Sequence, residues 1–283
     1  MTPSKSVTVA LSLALSMVGL TACQDKSTLH LDPLATDGRT GDAPDLGYPA
    51  VMHIAAASRS AGDFANAVSL YRHAGTMEPS NPDPLAALGD TLLEMGKPDE
   101  AINSYNAALK LNARDQSALR GLATAYLKTG RPDLAANPLA IAYKDTPNDP
   151  KLLLLIGVSD DFIGQHANAQ ARYQQGLRLA PADRSLILNL SLSLALSEKF
   201  DEAIATLHPL AFSPGATPQE RQTLALIYGL KGDQQSAMQL ARMDLDTAAA
   251  QHNLAFYGTL HRLPPDARSR AILSATAAVR PQS

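Results

Sequence analysis

Few residues in this chain have chemistry to offer. Cys23 is the one cysteine among 283 residues, which leaves no intramolecular disulfide and no multi-cysteine metal site. Its thiol is the chain's natural nucleophile for a covalent modification. The seven histidines (30, 53, 73, 166, 208, 252 and 261) show no HExxH or other metal-ligand spacing. Asp99-Glu100, Asp160-Asp161 and Asp201-Glu202 are carboxylate pairs, but adjacent residues on a helix do not face each other. They read as helix starts and solvated faces rather than acid–base pairs. No P-loop, GxGxxG or GxSxG motif occurs. The expectation is a protein without catalytic residues, metal, cofactor or small-molecule substrate. With 24 Lys+Arg against 27 Asp+Glu, a formal charge of −3 provides no electrostatic footprint for nucleic acid.

What precedes Cys23 gives it a role. Lys5 and the α-amino group form a short positive region, and Val7 to Leu20 is a mostly apolar stretch. As a helix that stretch rises about 21 Å, short of a hydrocarbon core of about 30 Å, so it suits an export signal better than a membrane span. Leu20-Thr21-Ala22-Cys23 resembles the lipobox of bacterial lipoproteins, an aliphatic residue and two small ones before the cysteine. The resemblance implies cleavage of residues 1–22 and acylation of Cys23. Residue 24 is Gln rather than the Asp that retains many Gram-negative lipoproteins at the inner membrane. By that analogy the destination is the periplasmic face of the outer membrane, with several acyl chains as a stable anchor. Residues 23–47 carry five Asp, two Pro and three Gly, few large apolar residues and no helical stripe, and read as a flexible tether.

The elements behind the tether are legible in composition and period. Ala (48) and Leu (43) make up about a third of the chain, both strong helix formers, so the expected class is all-α. Alanines at 67, 101, 135, 169, 203 and 237 are each 34 residues apart. Glycines at 62, 96, 130, 164 and 232 obey the same period, with Glu198 in the missing place. This divides residues 48–251 into six 34-residue units without an insertion, each predicted to be two antiparallel helices, A and B. Leu122-Ala123, Tyr126, Gly130, Ala135, Ala142 and Pro147 in the third unit resemble the tetratricopeptide pattern, and the second unit matches at Leu88-Gly89, Leu92, Gly96, Ala101, Tyr105 and Ala108. The resemblance implies a right-handed superhelix with A helices lining a concave groove. Small residues such as Gly89, Ala123 and Gly157 are expected to admit close helix approach, and Tyr71, Tyr105, Tyr126, Tyr173 and Tyr228 to fill the wider gaps. Residues 252–263 are expected to cap the last unit and 266–280 to add a further helix, within a capping tail of 252–283.

The ending narrows the resemblance. Leu224 to Asp233, Arg242-Met243-Asp244-Leu245-Asp246 and Asn253 to Arg262, together with the lipobox and the array, look like the TadD-like lipoproteins of the tight-adherence (Tad, or Flp pilus) assembly system. That resemblance implies a pilotin-like outer-membrane scaffold for a type IVb pilus, with a secretin or another pilus assembly component as partner. Two alternatives stay open. One is an envelope adaptor for β-barrel or cell-wall assembly, and the other is a regulatory partner of a peptidoglycan enzyme.

Repeat arithmetic places the groove side chains. In the first three units they include Arg59, Asp90, Glu94, Arg120 and Lys128, a mixed polar surface. In the last three they include Leu154, Val158, Phe162, Leu188, Leu192, Leu196, Leu226 and Leu230. An exposed apolar patch marks an interaction site, so this half is predicted to hold an apolar helix or peptide of a partner, unless the chain's own C-terminal helices fill it. Met52 and Ala56 stand where a carboxylate-clamping Lys and Asn would be, so that ligand class is not expected. Asp160 falls on a place normally apolar and is expected to be paired, exposed or part of a site.

Overall fold

The computed structural model describes residues 46–277. Cys23, the signal segment 1–22, most of the tether and residues 278–283 lie outside the described residues. Six helix pairs follow one another: α1 (Tyr48–Ser60) with α2 (Phe64–Met77), α3 (Asp83–Glu94) with α4 (Pro98–Leu111), and α5 (Gln116–Lys128) with α6 (Pro132–Asp145). Then come α7 (Pro150–Phe162) with α8 (His166–Leu179), α9 (Arg184–Leu196) with α10 (Phe200–Ala211), and α11 (Pro218–Lys231) with α12 (Gln234–Ala241). Two more helices, α13 (Thr247–His261) and α14 (Pro265–Ala277), complete the described chain. Among the described residues there is no strand, and no helix is long and apolar enough to cross a membrane.

Local chemistry sets the helix ends. The Asp63, Asp115, Asp183, Asp233 and Asp246 carboxylates accept backbone N–H groups in the first turns of α2, α5, α9, α12 and α13. Thr217 and Glu220 close a reciprocal capping box on α11. Each such cap contributes about 1 kcal/mol. Between the A and B helices of successive pairs the chain turns through a left-handed residue. That residue is Gly in five pairs and Glu198 (φ 61°) between α9 and α10. Glu198 is the one non-glycine with positive φ among the described residues, a conformation that costs an L-residue about 1 kcal/mol.

The odd-numbered helices form one layer. From α3 to α13 each touches the next odd-numbered helix, while the even-numbered helices make their main contacts with odd-numbered neighbours alone. In a curved array the layer with the closer spacing is the inner one, so α3, α5, α7, α9 and α11 line the concave side. The six alanines spaced by 34 are all fully buried, each on a B helix where it meets its neighbours. Larger gaps are filled by rings against bare backbone. A Cβ on Gly89 would stand 2.5 Å from Cε1 of Tyr105, and one on Gly121 2.3 Å from the same ring. Tyr105, from α4, is thus wedged between α3 and α5. Tyr173 lies against Gly157 in the same way, at 2.4 Å.

Three details depart from the expected pattern. Tyr126 and Tyr228 are only half-buried, while Tyr257 of α13 is fully buried and packs where Gly229 has no side chain. The expected cap over 252–263 begins earlier, at Thr247, because α12 stops after eight residues. Arg221 of α11 reaches Asp244 in the turn that follows, and Asp246 starts α13. The array therefore loses its 34-residue register by five residues at the last unit. Finally, α14 does not stack beyond α13 as a further B helix would. It touches α13, α7 and α9, turning back onto the inner layer.

The ring-on-glycine contacts generate a paired test. Gly157→Ala should destabilise the protein by about 1–3 kcal/mol, since Tyr173 is fully buried and has nowhere to move. Gly258→Ala, within α13 where an added Cβ meets nothing within 4 Å, should stabilise by about 0.5–1 kcal/mol through helix propensity. Urea unfolding followed by circular dichroism measures both.

Candidate functional site

The groove has an open charged half and a closed apolar half. In the first half, Arg59 at the end of α1 faces two carboxylates of α3, with Nη1 3.6 Å from Asp90 and Nε 3.7 Å from Glu94. Tyr105 donates its hydroxyl to Asp90 at 2.8 Å from the layer behind. Burial pushes the Asp90 carboxyl above its ordinary value, opposed by Tyr105, Arg59 and Arg120. Burial also raises Glu94 and lowers Lys128, and the attraction between these two opposes both shifts. Arg59, Asp90, Glu94 and Lys128 thus form one electrostatically coupled set across α1, α3 and α5. Arg120 is drawn aside, donating to Asp149 at 2.8 Å, the residue that also caps α7. Arg59, Asp90 and Glu94 keep about a third to a half of their side-chain surface in solvent (30%, 34% and 48%).

The second half differs from the sequence expectation of an exposed leucine-lined surface. Val158, Leu188, Leu192, Leu196, Leu226 and Leu230 are buried, and Leu154 and Phe162 are half-buried. All eight belong to, or pack against, a single core cluster that also contains Ile272 and Leu273 of α14. Side-by-side packing of the inner helices hides part of this surface, and α14 lies against α7 and α9.

Polar contacts hold α14 in place. Arg268 is buried, with 7% of its side chain exposed. Its guanidinium donates to the carbonyls of Leu260 (3.1 Å), His261 (3.3 Å) and Leu263 (3.0 Å), so it caps the C-terminal end of α13. The same group donates to the Glu198 carboxylate at 2.8 Å. Ser269 lies 3.4 Å from Nε2 of His166, and Nδ1 of His166 is 2.7 Å from Asp161.

Asp161, not Asp160, is the buried carboxylate of this region. Asp160 is half-buried and moderated by Arg172. Asp161 accepts hydrogen bonds from the hydroxyls of Tyr173 (2.8 Å) and Ser193 (2.7 Å) in addition to its contact with His166. It joins α7, α8 and α9 through one side chain. Burial raises its carboxyl above the ordinary value, and the hydrogen bonds from His166, Ser193 and Tyr173 oppose that rise. Next to it, Gln170 donates to the Ser193 carbonyl (3.2 Å) and to Ser197 Oγ (2.9 Å), and Lys199 donates to Gln170. Arg184 pairs with buried Glu220 at 2.8 and 2.6 Å. The sequence alone reads Asp161 as part of a solvated pair, and it assigns no partner to Gln170, Glu220 or Arg268. The available signal was the pair Ser191 and Ser193 inside the leucine run of α9, where hydroxyls need buried partners.

Comparison with known proteins agrees with this architecture. Models of the tetratricopeptide repeat match residues 58–108 and 86–150, and the chain folds as an all-α tetratricopeptide-repeat solenoid. Similar solved structures include a tetratricopeptide repeat protein from Parabacteroides merdae, at 16% identity and a TM-score of 0.62 over 76% of this chain and 86% of that one. PilF from Pseudomonas aeruginosa is 20% identical, with a TM-score of 0.61 over 74% of this chain and 97% of PilF. A chain of the APC/C hetero-tetramer Cut9-Hcn1 reaches a TM-score of 0.65 at 18% identity, over 74% of this chain and 42% of that one. At these identities the likeness is one of fold. No curated protein matches the chain.

Asp161→Ala should cost about 2–4 kcal/mol, because it strands the Tyr173 and Ser193 hydroxyls and the His166 ring together. The sign of its pH dependence follows from the raised carboxyl. A group whose folded pKa is raised contributes fully below its unfolded value, about 3.9, and loses that contribution as pH climbs through the folded one. The stability gap between wild type and Asp161→Ala should therefore be widest in acid and narrow as pH rises. Urea titrations at a series of pH values measure it.

Proposed function

We propose that this protein is a scaffold that holds a protein partner in the charged half of its groove. The observation that supports this reading is the coupled set Arg59, Asp90, Glu94 and Lys128, gathered from three helices on the inner layer and left part-exposed. Its mixed sign suits an extended polypeptide of alternating charge better than a uniformly charged ligand. The buried charges Arg268, Glu220 and Asp161 are spent on internal contacts, which leaves this set as the groove's polar recognition surface.

The finer reading is an outer-membrane accessory factor, anchored through acylated Cys23, that assists a secretin or pilus component of a tight-adherence system. Its support is the lipobox Leu20-Thr21-Ala22-Cys23 and the ending over residues 224–262.

Three experiments test these readings separately. Cys23→Ala should move the protein from the membrane fraction to the soluble periplasmic fraction, and unchanged fractionation removes the anchor. Deleting the protein should lower secretin multimers in outer-membrane fractions, and normal multimers with normal pili remove the pilus role. Arg59→Glu with Lys128→Glu should weaken crosslinking to the partner at least tenfold, more at low salt, while the circular dichroism spectrum is unchanged.

A further inference from the structure

α14 occupies its seat differently from every other helix of the array. The paired helices pack along each other's length, whereas α14 leaves α13 at Leu263-Pro264 and crosses to α7 and α9. Two polar contacts fix where it lands. Arg268 meets Glu198, just beyond the end of α9, and Ser269 meets His166, just beyond the end of α7. One turn further on, Ile272 and Leu273 enter the core. These are the only large apolar side chains that the described part of α14 buries. The two helices it crosses carry Leu154, Val158, Phe162, Leu188, Leu192 and Leu196, which belong to or pack against the same core cluster as Ile272 and Leu273.

The turn at Glu198 adds an independent observation. Five equivalent turns use glycine, and here the chain holds a glutamate in the left-handed region. The backbone does not need that side chain, but its carboxylate receives Arg268. The array thus carries a strained residue at one of the two places where α14 is held by a polar contact.

We propose that the seat of α14 is a helix-docking site, with α14 as its resident occupant, and that a partner's amphipathic helix displaces it. The partner helix carries an arginine followed at the fourth and fifth places by aliphatic residues, the pattern of Arg268, Ile272 and Leu273. Its arginine takes Glu198, and its aliphatic pair enters between α7 and α9. This site is separate from the charged half of the groove and does not depend on a partner there.

The experiment uses the full chain and a fluorescein-labelled peptide of residues 264–277, read by fluorescence anisotropy. Wild type should bind the peptide weakly, because its own α14 fills the seat. Ile272→Asp with Leu273→Asp in the full chain should free the seat and tighten binding at least tenfold. A peptide carrying the same two substitutions should not bind, and Arg59→Glu with Lys128→Glu in the chain should leave peptide binding unchanged. If the doubly substituted chain loses its cooperative unfolding transition, Arg268→Ala in the full chain decides. That change removes α14's polar hold while leaving Glu198 and the apolar seat in place for the peptide, and it too should tighten binding. Equal affinity for wild type and the deciding variant, or no binding to that variant, overturns the proposal.

Discussion

The array depends on contacts in which an aromatic ring occupies the space that a side chain would fill. Tyr105 lies against Gly89 and Gly121, Tyr173 against Gly157, and Tyr257 against Gly229. A buried ring is the largest apolar volume available per residue in a chain without tryptophan. It fits between inner helices only where the backbone is bare. Tyr105 and Tyr173 also bring a hydroxyl into the interior, where it finds an acceptor. The acceptor is Asp90 for Tyr105 and Asp161 for Tyr173. Packing thus leads to polar chemistry. The carboxylates that accept these hydroxyls become the points through which neighbouring helices and, at Asp90, the groove charges are linked.

The repeated features were legible because they follow from one unit meeting the next. The alanines from 67 to 237 could be read as helix contacts by their period, and all six are buried. The turn glycines could be read from the same spacing, including the anomaly at Glu198. What the period could not reveal is what breaks it. The truncation of α12 at Ala241 follows from Arg221 drawing Asp244 into a turn, a contact with no counterpart in earlier units. The return of α14 rests on Arg268 and Glu198, 70 residues apart. A leucine at an inner position looks the same in sequence whether it faces solvent or another helix, so Leu192 and Leu196 carried no sign of their burial. Asp161 hid behind its neighbour, since one step along a helix turns a side chain by about 100° and exchanges a half-buried place for a buried one.

The two halves of the groove also differ in what they demand of the chain. In the closed half, the buried members Arg268, Glu220 and Asp161 each have near partners: Arg268 with Glu198, Glu220 with Arg184, Asp161 with two hydroxyls and a histidine. Such groups specify position, because shifting any one would leave a buried charge uncompensated. In the open half, Arg59 reaches two carboxylates at 3.6 and 3.7 Å, distances at the loose end for ion pairs, and water reaches all three. Loose pairs can be exchanged for contacts with another molecule at little cost, whereas a tight pair is exchanged only for a group that replaces the lost partner.

The two ends of the solenoid are finished unequally. α13 covers the last pair with buried Ala250, Tyr257 and Leu260, and α14 locks over it, while α1 buries only Val51 and Ala55. Each unit of such an array is held by its immediate neighbours, so its mechanical resistance is set by whichever interface is loaded first. Tension arriving along the chain at Gly47 meets α1. It would peel the array from that end one helix pair at a time, in an unzipping geometry, with the reinforced end giving way last. A solenoid loaded this way lengthens in steps under force rather than rupturing at once.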